Sequence, residues 1–405
     1  MSDDIENVLL FQGGGSLGAF GCGVYKALAK NNIKIDIIAG TSIGGLNASI
    51  IAGSKEDHPE KALEQYWLEL AEGSDNNNMN FNFPFLPVGP PSSYSSFSEY
   101  QTPSIASTIT SIDHPGIRHI SQIKSLISFY SSATYGNKKV FMPRWIPEYS
   151  FTDFQYYTPY KWTYLYDHSP LIKTLEKYVD FNKLQPNGTP NSRLIITAVN
   201  VLTAEPLIFD SSKQQITSKH ILATTGYPTY YFQWVEVEKG VYAWDGSLLS
   251  NTPLREVIEA SPIKDKRIFL VENYPKNIDK LPDNIPEVQH RSRDIMFSDK
   301  TMHSVQMSKV FTLYLKFIDE LYHMLEDRLD LENKEDKTKF KKIKSKYKRL
   351  VEEHRAEIKN IFYITRDERF PSLYENADFS AETIKSSIKD GESKTMHILK
   401  DKGFI

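Results

Sequence analysis

The first fifty residues constrain the fold of this chain more than any other stretch. They contain an apolar run, the glycine loop GGGSLG at 13–18, a helical segment, the apolar run KIDIIAG and the turn GTSIG at 40–44. This alternation predicts strand, loop, helix, strand, turn and helix, which is a βαβα unit of an α/β fold. Such a unit places its two loops side by side.

The second loop, GTSIG, has the form GxSxG, in which a sharp turn between a strand and a helix exposes a nucleophilic serine. Ser42 is therefore the candidate nucleophile. A Cβ atom at Gly40 or Gly44 would crowd the strained turn, so we expect both glycines to be required for steric reasons.

The first loop can supply the electrostatic stabilisation that a serine nucleophile needs. Attack on an ester places negative charge on the former carbonyl oxygen, and fixed backbone N–H groups around it are usually the largest catalytic term. A glycine-rich backbone can approach closely, and the helix that follows adds the positive end of its dipole. We therefore predict an oxyanion hole from the loop glycines, which are Gly13, Gly14, Gly15 and Gly18.

GGGSLG also fits the dinucleotide-binding pattern GxGxxG. That fold needs an acidic residue at the end of the next strand to hold a ribose. Here the strand ends at Gly40 and Thr41, with Asp36 inside it, and no P-loop lysine follows the glycines. The GxSxG turn that follows soon afterwards favours acyl transfer instead.

Composition limits the class of protein and the cellular compartment in which it is expected. A net charge of -3 gives no global reason to expect nucleic-acid binding, and the one cysteine, Cys22, cannot form an internal disulfide. The acidic start MSDDIEN is unlike a secretory signal, and no apolar run approaches the ~18 residues of a membrane span. We expect a cytoplasmic protein for which contact with a membrane would have to be peripheral.

Changes in composition divide the rest of the chain. Residues 73–166 form an irregular insertion, and its last part, 145–166, holds ten aromatic residues that either pack on the core or line an apolar entrance. The α/β pattern then resumes, and the character becomes helical after Asp294. We expect a catalytic domain at 1–293, which includes the insertion, and a helical C-terminal extension at 294–405.

The extension is predicted to contain two long helices, the second from 335 to 360. One face of the second helix carries Phe340, Ile343, Tyr347 and Leu350 at helical spacing. From Lys334 to Leu350, eight lysines and one arginine against two acidic residues give a local net charge of +7. This basic segment is either a solvated helix face or a peripheral contact with anionic membrane.

A serine nucleophile also needs a base. None of the ten histidines lies in a loop after a late core strand, and His220 alone is near a core element. Asp245 is the better candidate, because it follows a strand and precedes Gly246 and can point toward the crevice that holds Ser42. The alternative for Asp245 is a plain Asp-Gly turn ahead of a helix.

GGGSLG, GTSIG and DGS, in this order and on these elements, resemble the three motifs of the patatin-like phospholipases. The resemblance includes Asn251 and Pro253, covers about residues 7–275, and extends to a bacterial branch with helical extensions. The family consists of acyl ester hydrolases with a Ser-Asp dyad and no histidine. The resemblance implies a three-layer α/β domain with a central, mainly parallel sheet, Ser42 as nucleophile, Asp245 as proton acceptor and the glycine loop as oxyanion hole.

Two positions depart from the family pattern. Leu17 stands where many members have Arg or Lys, and Ser247 replaces the usual Gly or Ala after Gly246. Both changes bear on rate and substrate more than on reaction type. A dyad also requires that burial raise the basicity of Asp245, because the reference pKa of an aspartate is about 3.9.

The sequence therefore predicts a hydrolase of lipid acyl esters, similar to a phospholipase A or a lysophospholipase. No cofactor and no metal are expected, since the sequence shows no ligand cluster at suitable spacing. Two alternatives stay open: an α/β-hydrolase esterase with His220 as base, and a non-catalytic lipid-binding or scaffold protein on the same fold. The head group, the chain length and the oligomeric state are not specified by the sequence.

Overall fold

A single large sheet organises the molecule. The computed structural model describes residues 5–75, 131–298, 301–327, 334–368 and 375–405. The main sheet of these residues has the spatial order β10 (Ile358–Thr365), β9 (Lys266–Glu272), β1 (Glu6–Phe11), β2 (Ile37–Thr41), β5 (Arg193–Asn200), β8 (Val241–Asp245) and β7 (Val235–Glu238), with β6 (Pro206–Asp210) also paired to β5. The strands from β10 to β5 are parallel, whereas β6, β7 and β8 are antiparallel to their neighbours.

Helices connect and cover these strands. In chain order they are α1 (Ala19–Lys30), α2 (Ile43–Ala52), α3 (Pro59–Asp75), α4 (Tyr149–Thr152), α5 (Pro170–Tyr178), α6 (Ser218–Thr225), α7 (Leu254–Ala260), α8 (Ile285–Phe297), α9 (Thr301–Glu326), α10 (Lys334–Tyr347) and α11 (Ala381–Asp401). A short 3₁₀ turn, Gly15–Gly18, leads from the glycine loop into α1. Within the described residues, no helix is long and apolar enough to cross a bilayer.

The sheet lies between two layers of helices. Successive side chains of a strand point to opposite faces, so Leu9 and Phe11 of β1 join the core under α1, α2, α3 and α11. Val8 and Leu10 face the other way and pack with residues of α7 and α9. The predicted three-layer α/β architecture with a mainly parallel sheet is confirmed.

The C-terminal part contributes a strand as well as helices. The helix predicted over 335–360 ends at Tyr347 as α10, a π-helical turn follows, and residues 358–365 form β10 beside β9. The prediction of a helix up to residue 360 was therefore wrong. The segment IKNIFYIT is rich in β-branched and aromatic residues, which favour a strand, but the basic helical run before it obscured the boundary.

The insertion predicted over 73–166 is described only from residue 131 onward, and residues 76–130 lie outside the described residues. Its last part consists of short elements: β3 (Met142–Pro143), α4, two 3₁₀ turns at Phe154–Tyr157 and Pro159–Lys161, and β4 (Tyr166–Asp167), which pairs with β3. These elements sit at one side of the sheet, against the segment that precedes β7.

The two helices α1 and α11 approach each other backbone to backbone. A Cβ atom on Gly391 would lie 2.1 Å from the carbonyl oxygen of Phe20, and a Cβ atom on Gly23 would lie 1.9 Å from that of Ile388. No side chain fits at either position, so the two glycines set the distance between the helices.

This contact leads to a stability prediction for Gly391→Ala. In an isolated helix the change would be favourable by about 1 kcal/mol, but here the new methyl group meets a backbone atom that cannot rotate away. We expect the free energy of unfolding to fall by roughly 1–3 kcal/mol, the usual cost of overpacking. Denaturant unfolding measures it.

The matched control is Ser393→Ala on the exposed side of the same helix. The substitution places a better helix-forming residue in α11 without contacting α1. The stability of this variant should therefore equal that of the wild type or be slightly higher. Equal stabilisation by both substitutions would contradict the close helix contact.

Candidate active site

The turn between β2 and α2 holds Ser42 in a strained conformation. Its backbone has φ 57° and ψ −131°, which is a rare combination for a residue other than glycine. A Cβ atom on Gly40 would lie 2.2 Å from the carbonyl carbon of Gly44, and one on Gly44 would lie 2.6 Å from the carbonyl oxygen of Phe11. The turn can therefore form only with glycine on both sides of the serine.

The strand register explains why Asp245 lies near Ser42. In the sheet Thr41 is opposite Thr197, and the neighbouring Ala198 is opposite Asp245 on β8. Thr197 also excludes a side chain at Gly246, where a Cβ atom would lie 2.6 Å from the threonine hydroxyl. Ser42 and Asp245, about two hundred positions apart in the chain, are thus brought to the same level of the sheet, on either side of β5.

Threonine hydroxyls fix the backbone around the serine. The N–H of Ser42 donates to Thr224 Oγ1 at 3.0 Å, and that hydroxyl donates to the carbonyl oxygen of Thr197 at 2.7 Å. The hydroxyls of Thr41 and Thr197 are 2.8 Å apart. No motif in the sequence marks these threonines as part of the site.

Asp245 is fully buried at the end of β8. Its Oδ1 atom accepts a hydrogen bond from the N–H of Ser247 at 2.8 Å, whereas Oδ2 has no hydrogen-bond partner among the described residues. Burial raises the pKa of this carboxyl to about 6, against the opposing effects of Ser42 and Ser247. Asp245 is thus a stronger base than an exposed aspartate.

The side chains of Ser42 and Asp245 border the same cavity, together with Ser247. The Ser42 hydroxyl is near enough to lower the pKa of Asp245, but Oδ2 has no hydrogen-bond partner in the part of the chain that the structure describes. Catalytic hydrogen bonds are often loose in a site without substrate. Ser42 and Asp245 are therefore arranged as a nucleophile and its base would be, and the oxygen that would take the proton is not yet hydrogen-bonded to a described residue.

The glycine loop presents two free backbone donors. Gly14 and Gly15 border the cavity, and their φ angles of 154° and 59° are in the region that favours glycine. Within the part of the chain that the structure describes, their N–H groups donate no hydrogen bond. The N–H of Gly13 is engaged with Asn251, and a Cβ on Gly18 would lie 2.7 Å from Ile43, so these two glycines serve the packing of the loop.

Two asparagines hold the loop in place. Asn251 Oδ1 accepts from the N–H of Gly13 at 3.1 Å and from the Ser247 hydroxyl at 3.1 Å, which ties the glycine loop to the aspartate turn. Asn273 donates from Nδ2 to the carbonyl oxygens of Gln12 and Gly13 at 3.2 and 3.1 Å. Asn273 directly follows β9, and a polar residue at the end of a buried strand is the signal that could have identified it.

The cavity beside these groups has a volume of about 290 Å³. Its walls are mostly apolar and aromatic, from α2, α5, the insertion and the segment before β7: Leu46, Leu171, Phe141, Tyr166, Tyr231 and Phe232. An apolar cavity with a few polar groups at one end is typical of a site for a small apolar ligand.

The segment at 375–379 closes the cavity on the side of the glycine loop. Asn376, Ala377 and Phe379 line the cavity, and the Ser16 hydroxyl donates to the carbonyl oxygen of Glu375 at 2.7 Å. A Cβ atom on Gly15 would lie only 2.2 Å from the carbonyl oxygen of Asn376. The C-terminal part therefore contributes to the site, which the sequence analysis did not predict.

A buried ionic cluster anchors this segment. Glu375 pairs with Arg293 at 2.8 Å and with Arg366 at 2.9 Å, and His290 Nε2 lies 2.9 Å from Glu368. Burial alone would raise the pKa of Glu375, but Arg366, His290 and Arg293 hold it below its usual range. Hydrogen bonds with Glu368 and Glu375 overcome burial and raise the pKa of His290 to about 9.

Four members of this cluster could ligate a metal by distance alone: His290, Asp294, Glu368 and Glu375 lie with one ligand atom each within 4.8 Å of one another. Two arginines already occupy the space between the carboxylates. Three carboxylates thus face three cationic groups, and this charge balance is that of a salt-bridge network.

His220 and His168 each form a structural hydrogen bond instead of contacting Ser42. His220 caps α6 by accepting from the N–H of Thr217 at 3.0 Å, packs on Phe209 and does not line the cavity. Burial lowers the pKa of His220 to about 4. His168 does line the cavity, but its Nε2 atom is bonded to the carbonyl oxygen of Leu222 at 3.0 Å.

Comparison with known proteins identifies the family. A family model described as "Patatin-like phospholipase" matches residues 9–258, which is more than half of the 405 residues. The chain therefore belongs to the patatin-like phospholipases, a family of lipid acyl hydrolases.

Other comparisons add little to this assignment. No curated protein matches the chain. Among solved structures, VipD from Legionella pneumophila is similar, with 14% identity, coverage of 98% of this chain and 67% of that chain, and a TM-score of 0.40. At this score the likeness carries no argument.

Proposed function

We propose that this chain hydrolyses a carboxylic ester of a lipid through an acyl-enzyme on Ser42, with Asp245 as the general base. The observation that carries the proposal is the state of Asp245, a buried carboxyl with one oxygen unpartnered and a pKa of about 6, next to a serine in a strained turn. A base is most efficient when its pKa is near the working pH, so no histidine is needed.

In the first half of the reaction, Ser42 Oγ attacks the carbonyl carbon of the ester and its proton moves to Asp245 Oδ2. The carbonyl oxygen becomes an oxyanion, for which the N–H groups of Gly14 and Gly15 are the free donors. When the tetrahedral intermediate collapses, the alcohol leaves with the proton from Asp245, and the acyl group stays on the serine.

In the second half, water attacks the acyl carbon and gives its proton to Asp245. The oxyanion forms again at the same donors. The carboxylic acid then leaves, Ser42 recovers its proton, and Asp245 returns to the ionised state. Gly13 and Gly18 support this cycle indirectly, because they shape the loop that presents the two donors.

The substrate is proposed to be a lipid, because the cavity offers aromatic and aliphatic walls to an acyl chain and polar groups only at the reacting end. A peripheral contact of the basic segment Lys334–Leu350 with anionic membrane stays a prediction. In the structure Phe340 and Tyr347 of α10 stack on Tyr322 of α9, and the lysines from 337 to 348 are exposed.

One observation favours the alternative of a non-catalytic lipid-binding protein. The Oδ2 atom of Asp245, which would accept the proton of Ser42, has no hydrogen-bond partner among the described residues. A fluorophosphonate probe separates the two functions, since it labels only an activated serine. Labelling of the wild type but not of Ser42→Ala supports the hydrolase, whereas absence of labelling in both supports lipid binding.

The proposed dyad gives a prediction for Ser42→Ala and Asp245→Asn. Each change should remove nearly all ester hydrolysis, and the double variant should be little worse than either, because the two residues act as a unit. The measurement is kcat/KM on a soluble short-chain ester. Asp245→Asn should stay folded, since it replaces a buried charge by a neutral group of the same shape.

The matched control is His220→Gln, which removes the base of the α/β-hydrolase alternative. We expect this variant to keep substantial activity, because His220 caps a helix away from the cavity. If Asp245→Asn kept more than about a tenth of the wild-type kcat/KM, a loss of less than ~1.4 kcal/mol in transition-state stabilisation, the dyad would be wrong.

The glycine loop gives a second prediction. Gly15→Ala should lower kcat by roughly 10²-fold, because the new methyl group would collide with the carbonyl oxygen of Asn376 and displace one N–H donor. Steady-state kinetics on the same soluble ester measure it.

Gly240→Ala is the control for backbone strain alone. Gly240 also has a positive φ, of 79°, but a Cβ atom there would meet nothing within 4 Å, and it lies in the turn between β7 and β8. We expect the control to keep its kcat. Full activity of a folded Gly15→Ala protein would show that the loop is not an oxyanion hole.

A further inference from the structure

Four aromatic rings project into solvent from the end of the insertion. Phe151, Phe154, Tyr157 and Tyr160 form what we call the aromatic surface, and their side chains are 73% to 101% exposed. They follow one another at intervals of three residues across α4 and the two 3₁₀ turns. Large rings in water are costly, so this surface calls for an explanation.

An ion pair and cation-π contacts hold the segment that carries these rings. The buried Arg144 donates to Asp153 Oδ2 at 2.7 Å, and its guanidinium lies over the rings of Trp162 and Tyr164 at 5.0 and 4.4 Å. Asp153 in turn caps the 3₁₀ turn that carries Phe154. The contacts of Arg144 and Asp153 therefore fix the backbone from which the exposed rings project.

Ring contacts and one hydrogen bond connect the aromatic surface with the cavity. Tyr166 lines the cavity and contacts Trp145 with ring centroids 5.5 Å apart. The Tyr156 hydroxyl donates to the carbonyl oxygen of Trp145 at 3.1 Å, and its ring contacts that of Tyr157 at 5.2 Å. The backbone of the segment also bonds to the cavity wall, where the N–H of Leu165 donates to the carbonyl oxygen of Tyr231 at 2.8 Å.

We propose that the aromatic surface docks this enzyme on the surface of a lipid bilayer, beside the mouth of its acyl-chain cavity. This inference rests on the proposed function, because it takes the cavity to be a lipid site. Phenylalanine rings enter the acyl region readily, and tyrosine rings prefer the membrane interface. None of the four residues is charged, and the hydroxyls of Tyr157 and Tyr160 are not bonded to any described residue, so they can face lipid head groups.

This mode of docking differs from the electrostatic one proposed for the basic segment. Contacts of aromatic rings with the bilayer do not require anionic lipid, whereas lysines gain little from a neutral surface. Vesicles of phosphatidylcholine alone therefore isolate the aromatic surface. The inactive Ser42→Ala protein serves as parent, so that the vesicles are not hydrolysed during the binding measurement.

In this background Phe151→Ser together with Phe154→Ser should lower the partition coefficient by at least about tenfold, because two large rings leave the bilayer. Both side chains are at least 90% exposed, so the fold should be unaffected, as circular dichroism will show. The matched control is Phe311→Ser together with Phe317→Ser on α9, which removes two rings that are 55% and 58% exposed. The control should bind the vesicles as the parent does.

A labelled cysteine gives a second readout. Cys22 is the chain's one cysteine and is fully buried, so a cysteine introduced at the surface can be labelled alone. A polarity-sensitive dye on Phe154→Cys should shift its emission to the blue when phosphatidylcholine vesicles are added. The same dye on Leu313→Cys of α9 should not shift.

Unchanged vesicle binding by the Phe151 and Phe154 variant would overturn the proposal, as would an equal loss in the α9 control. A dye shift at position 313 but not at 154 would overturn it as well. Because binding is measured without turnover, these results hold whatever the chemistry of the site. Failure of the wild type to hydrolyse any ester would instead contradict the proposed function.

Discussion

The site depends on how closely the first turn of α2 approaches the end of β1. A Cβ atom on Gly44 would lie 2.6 Å from the carbonyl oxygen of Phe11 and 2.7 Å from that of Gln12, so the two backbones touch without any side chain between them. This contact places the strained serine turn against the glycine loop. Ser42 and the N–H groups of Gly14 and Gly15 therefore border one cavity for reasons of backbone geometry alone.

Two buried carboxyls of this molecule have pKa values shifted in opposite directions. Asp245 has no cationic partner among the described residues, so burial raises its pKa to about 6, above the value of 3.8 for a free aspartate. Since the folded state favours the protonated form, this carboxyl lowers the stability of the fold as the pH rises from about 4 to about 6, and the loss is complete above that range. Glu375 is also buried, but Arg366, His290 and Arg293 lower its pKa, so its charge supports the fold. The presence of cationic partners thus distinguishes a structural carboxyl from one suited to proton transfer.

The sequence was most informative about the parts of the site that consecutive residues form. GGGSLG, GTSIG and DGS each predict a turn from consecutive residues, and the turns were found at the ends of the elements where they were expected. The contribution of the C-terminal part could not be predicted, because Ser16 meets Glu375 across 359 residues and no local pattern marks that contact. β10 was missed because helix-forming charged residues precede it without a break. Which aromatic residues of 145–166 line the cavity and which face solvent also depends on tertiary packing, with Tyr166 inside and Phe154 outside.

The pH dependence of kcat/KM on a soluble ester tests the central claim most directly, because it reports the ionisation of the base in the free enzyme. Asp245 must be ionised to accept the proton of Ser42, and burial raises its pKa to about 6. The account predicts that kcat/KM is constant above this pH and falls roughly tenfold per pH unit below it. A profile that stays flat down to about pH 4, the range of an unperturbed aspartate, would contradict a buried Asp245 as the base.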